Sequence, residues 1–341
     1  MPPLPLNNNS VSENINQIGF NVLQIDCTSE IERICGFIQN SLVSVLKRRG
    51  IIIALSGGID SSVTAALCAR AIGCERVKGL FMPERHTSED TFHLAKLVSS
   101  HLGIELIDHE ITEILSATGC YNRQDEAIKQ LIPQYQPHYP FKIALPANSS
   151  SIGYQIFSLI VKDNNDNVYS KRMTHDSYLN LVAATNFKQR VRKMLEYYYA
   201  DKYNFAVAGS PNRLEYDQGF FVKSGDGSAD LKPIAHLYKT QVYALAKSLG
   251  IPEEIRNRTP TTDTYPLEQT QEEFYFSLPY QKMDLCLFAK NNNMHAESVC
   301  EATGLTPIQV RKIFIDIDTK RKTTRYQHLG ALMIEKITQI D

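Results

Sequence analysis

Gly50-Ile51-Ile52-Ile53-Ala54-Leu55-Ser56-Gly57-Gly58-Ile59-Asp60-Ser61-Ser62 is the stretch from which the rest of the chain can be read. Three β-branched residues followed by Ala and Leu predict a buried strand, and an Ala-rich helix follows at once. Gly57 and Gly58 let the intervening backbone approach an anion or adopt positive φ. Ser56, Ser61 and Ser62 add hydroxyls beside the first helical amides, so the turn is suited to phosphate. Asp60 is the informative residue: a carboxylate beside an anion site is unfavourable unless a cation bridges the two, which points to Mg²⁺ between Asp60 and phosphate oxygens. The spacing is neither G-x-x-x-x-G-K-[ST] nor G-x-G-x-x-G.

Working outward, residues 29–49 predict an amphipathic helix that Ser29 can cap, with Ile31, Ile34, Cys35, Ile38, Leu42, Val45 and Leu46 as its apolar stripe. Residues 61–72 predict the next helix, 77–82 a second strand, the segment after Ser88 a third helix and 104–107 a third strand. This alternation argues for βαβ crossovers in an open parallel sheet flanked by helices. Between 118 and 176 the rhythm breaks. Residues 141–145 read as a strand, and 154–161 with 168–173 as an antiparallel ribbon around Asp163-Asn164-Asn165-Asp166-Asn167, the whole forming an insertion. A long helix to Tyr203, a strand over 204–208 and a helix over 236–249 follow, then helices at 285–292, 296–302 and 307–321. The expected organisation is a polar leader over 1–28, a main domain over 29–280 with the 118–176 insertion, and a helical extension over 281–341 packed on it.

The 341 residues carry a formal net charge of -1, which gives no long-range attraction to nucleic acid or anionic membrane. Seven cysteines without a C-x-x-C pair suit free thiols in a reducing, cytoplasmic setting. The first 16 residues lack a basic start and an apolar run, and read as neither a signal peptide nor a membrane anchor.

In open α/β sheets, ligands bind at the carboxyl ends of strands, so Gly209-Ser210-Pro211-Asn212-Arg213 can share a pocket with the Ser56 loop. Glu215 then joins Asp60 as a second hard oxygen ligand for Mg²⁺. Asn186 and Arg190 are four residues apart on one helix face, which makes Arg190 the better anion ligand and leaves Arg192 for a salt bridge or subunit contact. Asp226 and Asp230 flank a Gly/Ser/Ala turn. Lys239 can place a cation near phosphoryl groups, and Thr261 and Asp263 can add polar contacts.

Ser56-Gly-Gly-Ile-Asp-Ser61 resembles the S-G-G-x-D-S loop of ATP pyrophosphatases. Together with Leu80-Phe-Met-Pro83, Asn186-Phe-Lys-Gln-Arg190-Val-Arg192, Gly209-Ser-Pro-Asn-Arg-Leu-Glu215, Gly219-Phe-Phe-Val-Lys223-Ser-Gly-Asp226-Gly-Ser-Ala-Asp230, Leu237-Tyr-Lys239 and Pro260-Thr261-Thr-Asp263, the chain resembles the ammonia-dependent NAD⁺ synthetases. The resemblance implies a Rossmann-like adenine nucleotide alpha hydrolase fold. By it, Ser56, Gly57, Gly58, Asp60, Ser61, Ser62, Met82, Lys239 and Thr261 would bind ATP, and Asp60 and Glu215 would bind Mg²⁺. Asn186, Arg190, Lys223, Asp226 and Asp230 would bind the deamido form of NAD⁺, at a site on the boundary of a homodimer. Asp60, Lys239 and Asp226 are the implied catalytic residues. The implied reaction adenylates the nicotinate carboxylate, releases pyrophosphate, and lets ammonia displace AMP.

The insertion, Arg213 and the Thr262-Asp-Thr-Tyr-Pro continuation depart from the commoner family pattern. No glutaminase-like domain is evident in the sequence, so direct ammonia use is expected, with a separate glutaminase subunit as the less favoured route. The competing readings are another adenylating amide ligase and, from a different class, a nucleic-acid-binding module built on the C-terminal helices and Lys320-Arg321-Lys322; neither membrane nor nucleic acid is the expected partner.

Overall fold

The computed structural model describes residues 17–144, 157–259, 265–267, 269–270, 272–276, 278–335 and 337. The parallel sheet is present in the order β3-β2-β1-β7. Its strands are β1 (Ile51–Ala54), β2 (Val77–Phe81), β3 (Glu105–Asp108) and β7 (Ala206–Ala208). β1 is central, pairing Ile51 with Val77 on one side and with Ala206 on the other. Its side chains alternate between two apolar layers. Ile51 and Ile53 join the cluster that includes α1 (Cys27–Asn40), α2 (Ile59–Ile72), α3 (Glu89–Leu102) and α8 (Lys239–Ser248). Ile52 joins the opposite cluster, with α4 (Thr112–Ala117), the start of α5 (Cys120–Leu131) and α6 (His175–Tyr203). Burying each such side chain contributes about 1.5–3 kcal/mol, which explains why this strand is apolar on both faces.

The first helix departs from its expected bounds at both ends, and the last runs on to His328. The first helix is capped by Asp26, whose carboxylate accepts from the Thr28 and Ser29 amides, rather than by Ser29; Ser29 contributes its own hydroxyl to that carboxylate. The α-helix gives way after Asn40 to a wider π-type turn, Ser41–Val45, which rotates Val45 out to solvent while Ile31, Ile34, Ile38 and Leu42 stay buried.

The insertion is more than a ribbon. β4 (Phe141–Ala144), β5 (Ser158–Lys162) and β6 (Val168–Arg172) form a three-stranded antiparallel sheet. Helix α5, which the breaks in rhythm concealed, packs on it through Ala127 and Ile128. Phe141, Ile143, Leu159 and Val161 of this sheet share one core with Leu181 of α6. Capped by the Thr174 hydroxyl, α6 therefore serves both the inserted sheet and the main one. Downstream, α7 (Arg213–Gln218), α9 (Glu253–Arg256), α10 (Tyr280–Asn291), α11 (Cys300–Thr303) and α12 (Pro307–His328) complete the chain. Leu214, Leu285, Leu287, Val310 and Ile317 form a separate core that joins α7, α10 and α12. Among the described residues, no helix is long and apolar enough to cross a membrane.

The turn after β1 requires glycine at one point. Gly57 has φ +69°, and a Cβ there would lie 2.5 Å from the Leu94 Cβ. Gly57→Ala is expected to cost about 2 kcal/mol or more, from left-handed strain and overlap together, measured by urea unfolding against the parent chain.

Candidate active site

Three chain reversals bring the site together at the carboxyl ends of β1 and β7. The first runs from β1 into α2, placing Ser56 and Gly58 ahead of Asp60 in the first helical turn. The second follows β7, where Asn212 caps α7 by accepting from the Leu214 and Glu215 amides while Glu215 accepts from the Asn212 amide. The third begins α8 at Lys239. Asp60 joins them: one carboxylate oxygen pairs with the Lys239 ammonium, and the other accepts from the Asn212 side-chain amide at 3.1 Å. Lys239 is 2% exposed. Burial alone would lower its pKa, but the carboxylates of Asp60 and Glu215 more than offset this and hold it above the ordinary lysine value.

A cavity of about 1080 Å³ opens over this junction, lined at one end by Ser56, Gly58, Asp60, Ser61, Glu215 and Lys239. Its lining also includes Asn186, Gln189 and Arg192 of α6, Phe220, Asp226 and, from α12, Lys320. Solvent reaches Asp226, yet protein surrounds it closely enough that desolvation raises its carboxyl pKa, against the pull of the Val222 amide and of Lys193. That amide donates to Asp226 at 2.8 Å and folds the 222–226 turn.

Several residues expected at the site stand elsewhere. Ser62 is fully buried, its hydroxyl donating to the Gly58 carbonyl at 2.7 Å, so it shapes the turn rather than facing the cavity. Gly57 is likewise buried, and Met82 packs in the apolar core while its carbonyl accepts from Arg192 Nε at 3.3 Å. Within one chain, Arg190 is exposed, is not among the residues lining the cavity, and donates from Nε to the Lys223 carbonyl at 3.4 Å. Arg192 lines the cavity instead, in step with Asn186 and Gln189 at successive i, i+3 positions of α6. Lys223 donates to the Tyr326 and Leu329 carbonyls, satisfying the end of α12. The Asp230 carboxylate accepts from the Val207 amide at 2.7 Å and from the Tyr197 hydroxyl at 3.2 Å, which ties it to the border of β7. Thr261 and Asp263 lie outside the described residues.

Sequence reasoning missed Lys188, Arg258, Lys320 and Lys322, all in the cavity wall. The basic run at 320–322 was legible as charge, but not as charge turned inward. Lys320 donates to the Tyr275 carbonyl and pairs with Asp316, while Arg321 forms a two-point pair with Asp217. Lys188 belongs to a buried polar cluster. It donates to Glu84 at 2.8 Å and contacts His86 at 3.1 Å, and Tyr121 of α5 donates to the other Glu84 oxygen at 2.8 Å. The inserted helix thereby clamps the loop leaving β2. Burial would raise the Glu84 pKa, yet Lys188 and His86 hold it down to about 2. Burial and then the Lys188 charge lower His86 to about 4.

The Mg²⁺ expected here can be weighed against the donors present. Asp60 and Glu215 are hard oxygen ligands facing the same end of the cavity, and among the described residues no cluster of three or more metal-ligating side chains exists. Two carboxylates with room for water and phosphate oxygens fit Mg²⁺, which rarely takes an all-protein cage.

Comparison with known proteins gives concordant matches. A family model described as NAD synthase matches residues 30–133 and 149–326. The chain is 53% identical over 319 residues to the NH(3)-dependent NAD(+) synthetase of Rhizobium meliloti (strain 1021), covering 94% of this chain and 95% of that one. It is 30% identical to the NH(3)-dependent NAD(+) synthetase of Methanocaldococcus jannaschii, with coverages of 86% and 93%. Among solved structures, the fold is similar to NH3-dependent NAD synthetase from Campylobacter jejuni in complex with the nitrate ion, at TM-score 0.60, 24% identity and coverages of 91% and 100%. It is also similar to NMN synthetase from Francisella tularensis, at TM-score 0.63, 22% identity and coverages of 91% and 99%.

The buried cluster makes a pH prediction. A His86 lowered in the folded chain binds its proton less well than in the unfolded one, so stability is expected to fall as pH drops from about 6.5 to about 4. Urea unfolding at pH 7 and pH 5 should show this loss in the parent and a smaller one in His86→Asn.

Proposed function

Because the chain belongs to the NAD synthase family, we propose that it amidates the deamido form of NAD⁺ with ammonia at the expense of ATP, yielding NAD⁺, AMP and pyrophosphate. The observation that carries the reading is the Asp60–Lys239 pair beside the Ser56–Gly58 turn, in a cavity also lined by Asp226 and Arg192. A carboxylate resists ammonia because its oxygen is a poor leaving group, so activation as an acyl adenylate is chemically required.

In this proposal the Ser56, Gly58 and Ser61 end of the cavity receives the ATP phosphates, where the α2 amides and the Lys239 ammonium meet the developing negative charge. Asp60 and Glu215 would hold Mg²⁺, which supplies charge neutralisation to the phosphates when bound. Asn186, Arg192 and Asp226 line the part of the cavity assigned to the dinucleotide. In this reading the walls would align its carboxylate with the α-phosphorus and limit water around the activated carbonyl. Arg190, Lys223 and Asp230, which this chain does not turn into its own cavity, are assigned by family resemblance to the dinucleotide. For Arg190, service to a second subunit is the consistent role. Leu179, Ala183, Arg190, Met194 and Tyr198 lie along one exposed face of α6, which supports a homodimer formed through that helix.

The test is production of AMP and pyrophosphate that requires deamido-NAD, ammonia and Mg²⁺ together, with glutamine and nicotinic acid mononucleotide run in parallel. Turnover of a different carboxylate in place of the dinucleotide would favour another adenylating ligase. Asp60→Ala is expected to lower kcat by about 10²-fold or more, on the scale of losing a preorganised electrostatic group, and near-normal turnover would remove Asp60 from the mechanism.

A further inference from the structure

Lys239 is fixed at both ends by carboxylates from different parts of the chain. Its ammonium meets Asp60 of α2, while its backbone N–H donates to Asp284 of α10 at 3.3 Å. The second Asp284 oxygen accepts from the Thr240 N–H at 2.7 Å. Asp284 is completely buried, so it is not a solvent-side cap of the ordinary kind. We infer that Asp284 is a positioning residue for the adenylation step, acting through the first turn of α8 to hold Lys239 at the phosphate end of the cavity.

The energetics favour a purpose beyond capping. A Ser or Thr preceding the helix would accept from the second or third helical amide without burying a carboxylate, but it would leave the Lys239 N–H unheld. Here burial pushes the Asp284 carboxyl up to about 7, even though the Thr240 and Lys239 amides and the Lys239 charge pull it down. A group that costly contributes little net stability, but it does set geometry. Two N–H bonds from consecutive residues to one carboxylate fix both the position and the rotation of the turn, and with them the direction in which the Lys239 side chain leaves the helix. The rest of α10 is anchored by Met283, Leu285, Cys286 and Leu287 in the C-terminal core, so the tie runs from that core to the phosphate end of the cavity.

This inference rests on the proposed role of Lys239, and the experiment separates the two. ATP–pyrophosphate exchange dependent on deamido-NAD reports adenylation without ammonia. In the full-length protein, Asp284→Asn keeps the shape and one acceptor oxygen but loses the other. It is expected to lower the exchange kcat about tenfold or more, as a small misplacement of a catalytic group does, while the KM for ATP stays within about threefold. Lys239→Gln should lower exchange further; if it does not, the Lys239 assignment fails whatever Asp284 does. If Lys239→Gln is impaired but Asp284→Asn exchanges within about twofold of the parent, the positioning role is overturned. The same holds if the loss in Asp284→Asn matches a fall in the folded fraction seen by calorimetry. Should Asn not fold, Asp284→Ser is read in the same way, and failure of both to fold would make Asp284 a folding determinant and overturn the assignment.

Discussion

The buried contact between Asp60 and Lys239 joins the first α/β unit of the chain to its last third. A lysine and an aspartate taken out of water lose hydration that their mutual attraction recovers only when further hydrogen bonds complete the shell. The chain supplies one of these through Asn212, which also caps α7 and so ties the loop after β7 to the same point. The site is thus electrically satisfied before any substrate arrives. On the proposed function, a polyphosphate would not meet a bare cation there; it would compete with Asp60 for Lys239, so its binding would depend on how the surrounding turns hold both groups.

A second buried pair performs a comparable task at the other wall. Lys188 and Glu84, with Tyr121 completing the carboxylate, connect α6, the loop after β2 and the inserted helix α5. The insertion therefore does not hang from the domain as an independent flap. Its sheet shares a core with α6, and its helix contributes to a polar lock beside the cavity. Phe157 and Tyr178, stacked with ring centroids 4.9 Å apart, carry that core up to the cavity wall.

Much of the fold was legible because its signals are local. The apolar run of β1, the glycines of the turn and the alternation of strand and helix each follow from short-range chemistry. Helix α5 was harder: Cys120, Tyr121, Gln124, Ala127 and Ile128 do fall on one helical face, but Gln124 is polar and is buried through its bond to Thr185, so the apolar count understates the stripe. Asp60, Glu215, Lys239, Asn186 and Asp226, singled out from motif and loop placement, all line the one cavity. Arg192 was passed over because spacing along a helix says which residues share a face, not how wide a face the cavity sees. Lys223 was a candidate by family resemblance and Asp230 by its place beside a glycine-rich turn; within this chain Lys223 donates to the Tyr326 and Leu329 carbonyls and Asp230 accepts from the Val207 amide, contacts that only the folded arrangement brings near. The Asp284 contact pairs residues 45 and 44 positions apart, beyond any local pattern.

The treatment of β7 has a consequence for the molecule's behaviour in a crowded solution. A three-residue strand at a sheet margin ordinarily leaves amides and carbonyls open to a foreign chain. Here the Asp230 side chain occupies the Val207 N–H, its own amide donates to the Val207 carbonyl, and Leu231 forms a bridge to Ala208. The margin is closed by the chain's own following segment, with a charged group at the seam. Another polypeptide seeking to extend the sheet on that side would first have to strip away a carboxylate, so this flank resists templated self-association even at high concentration.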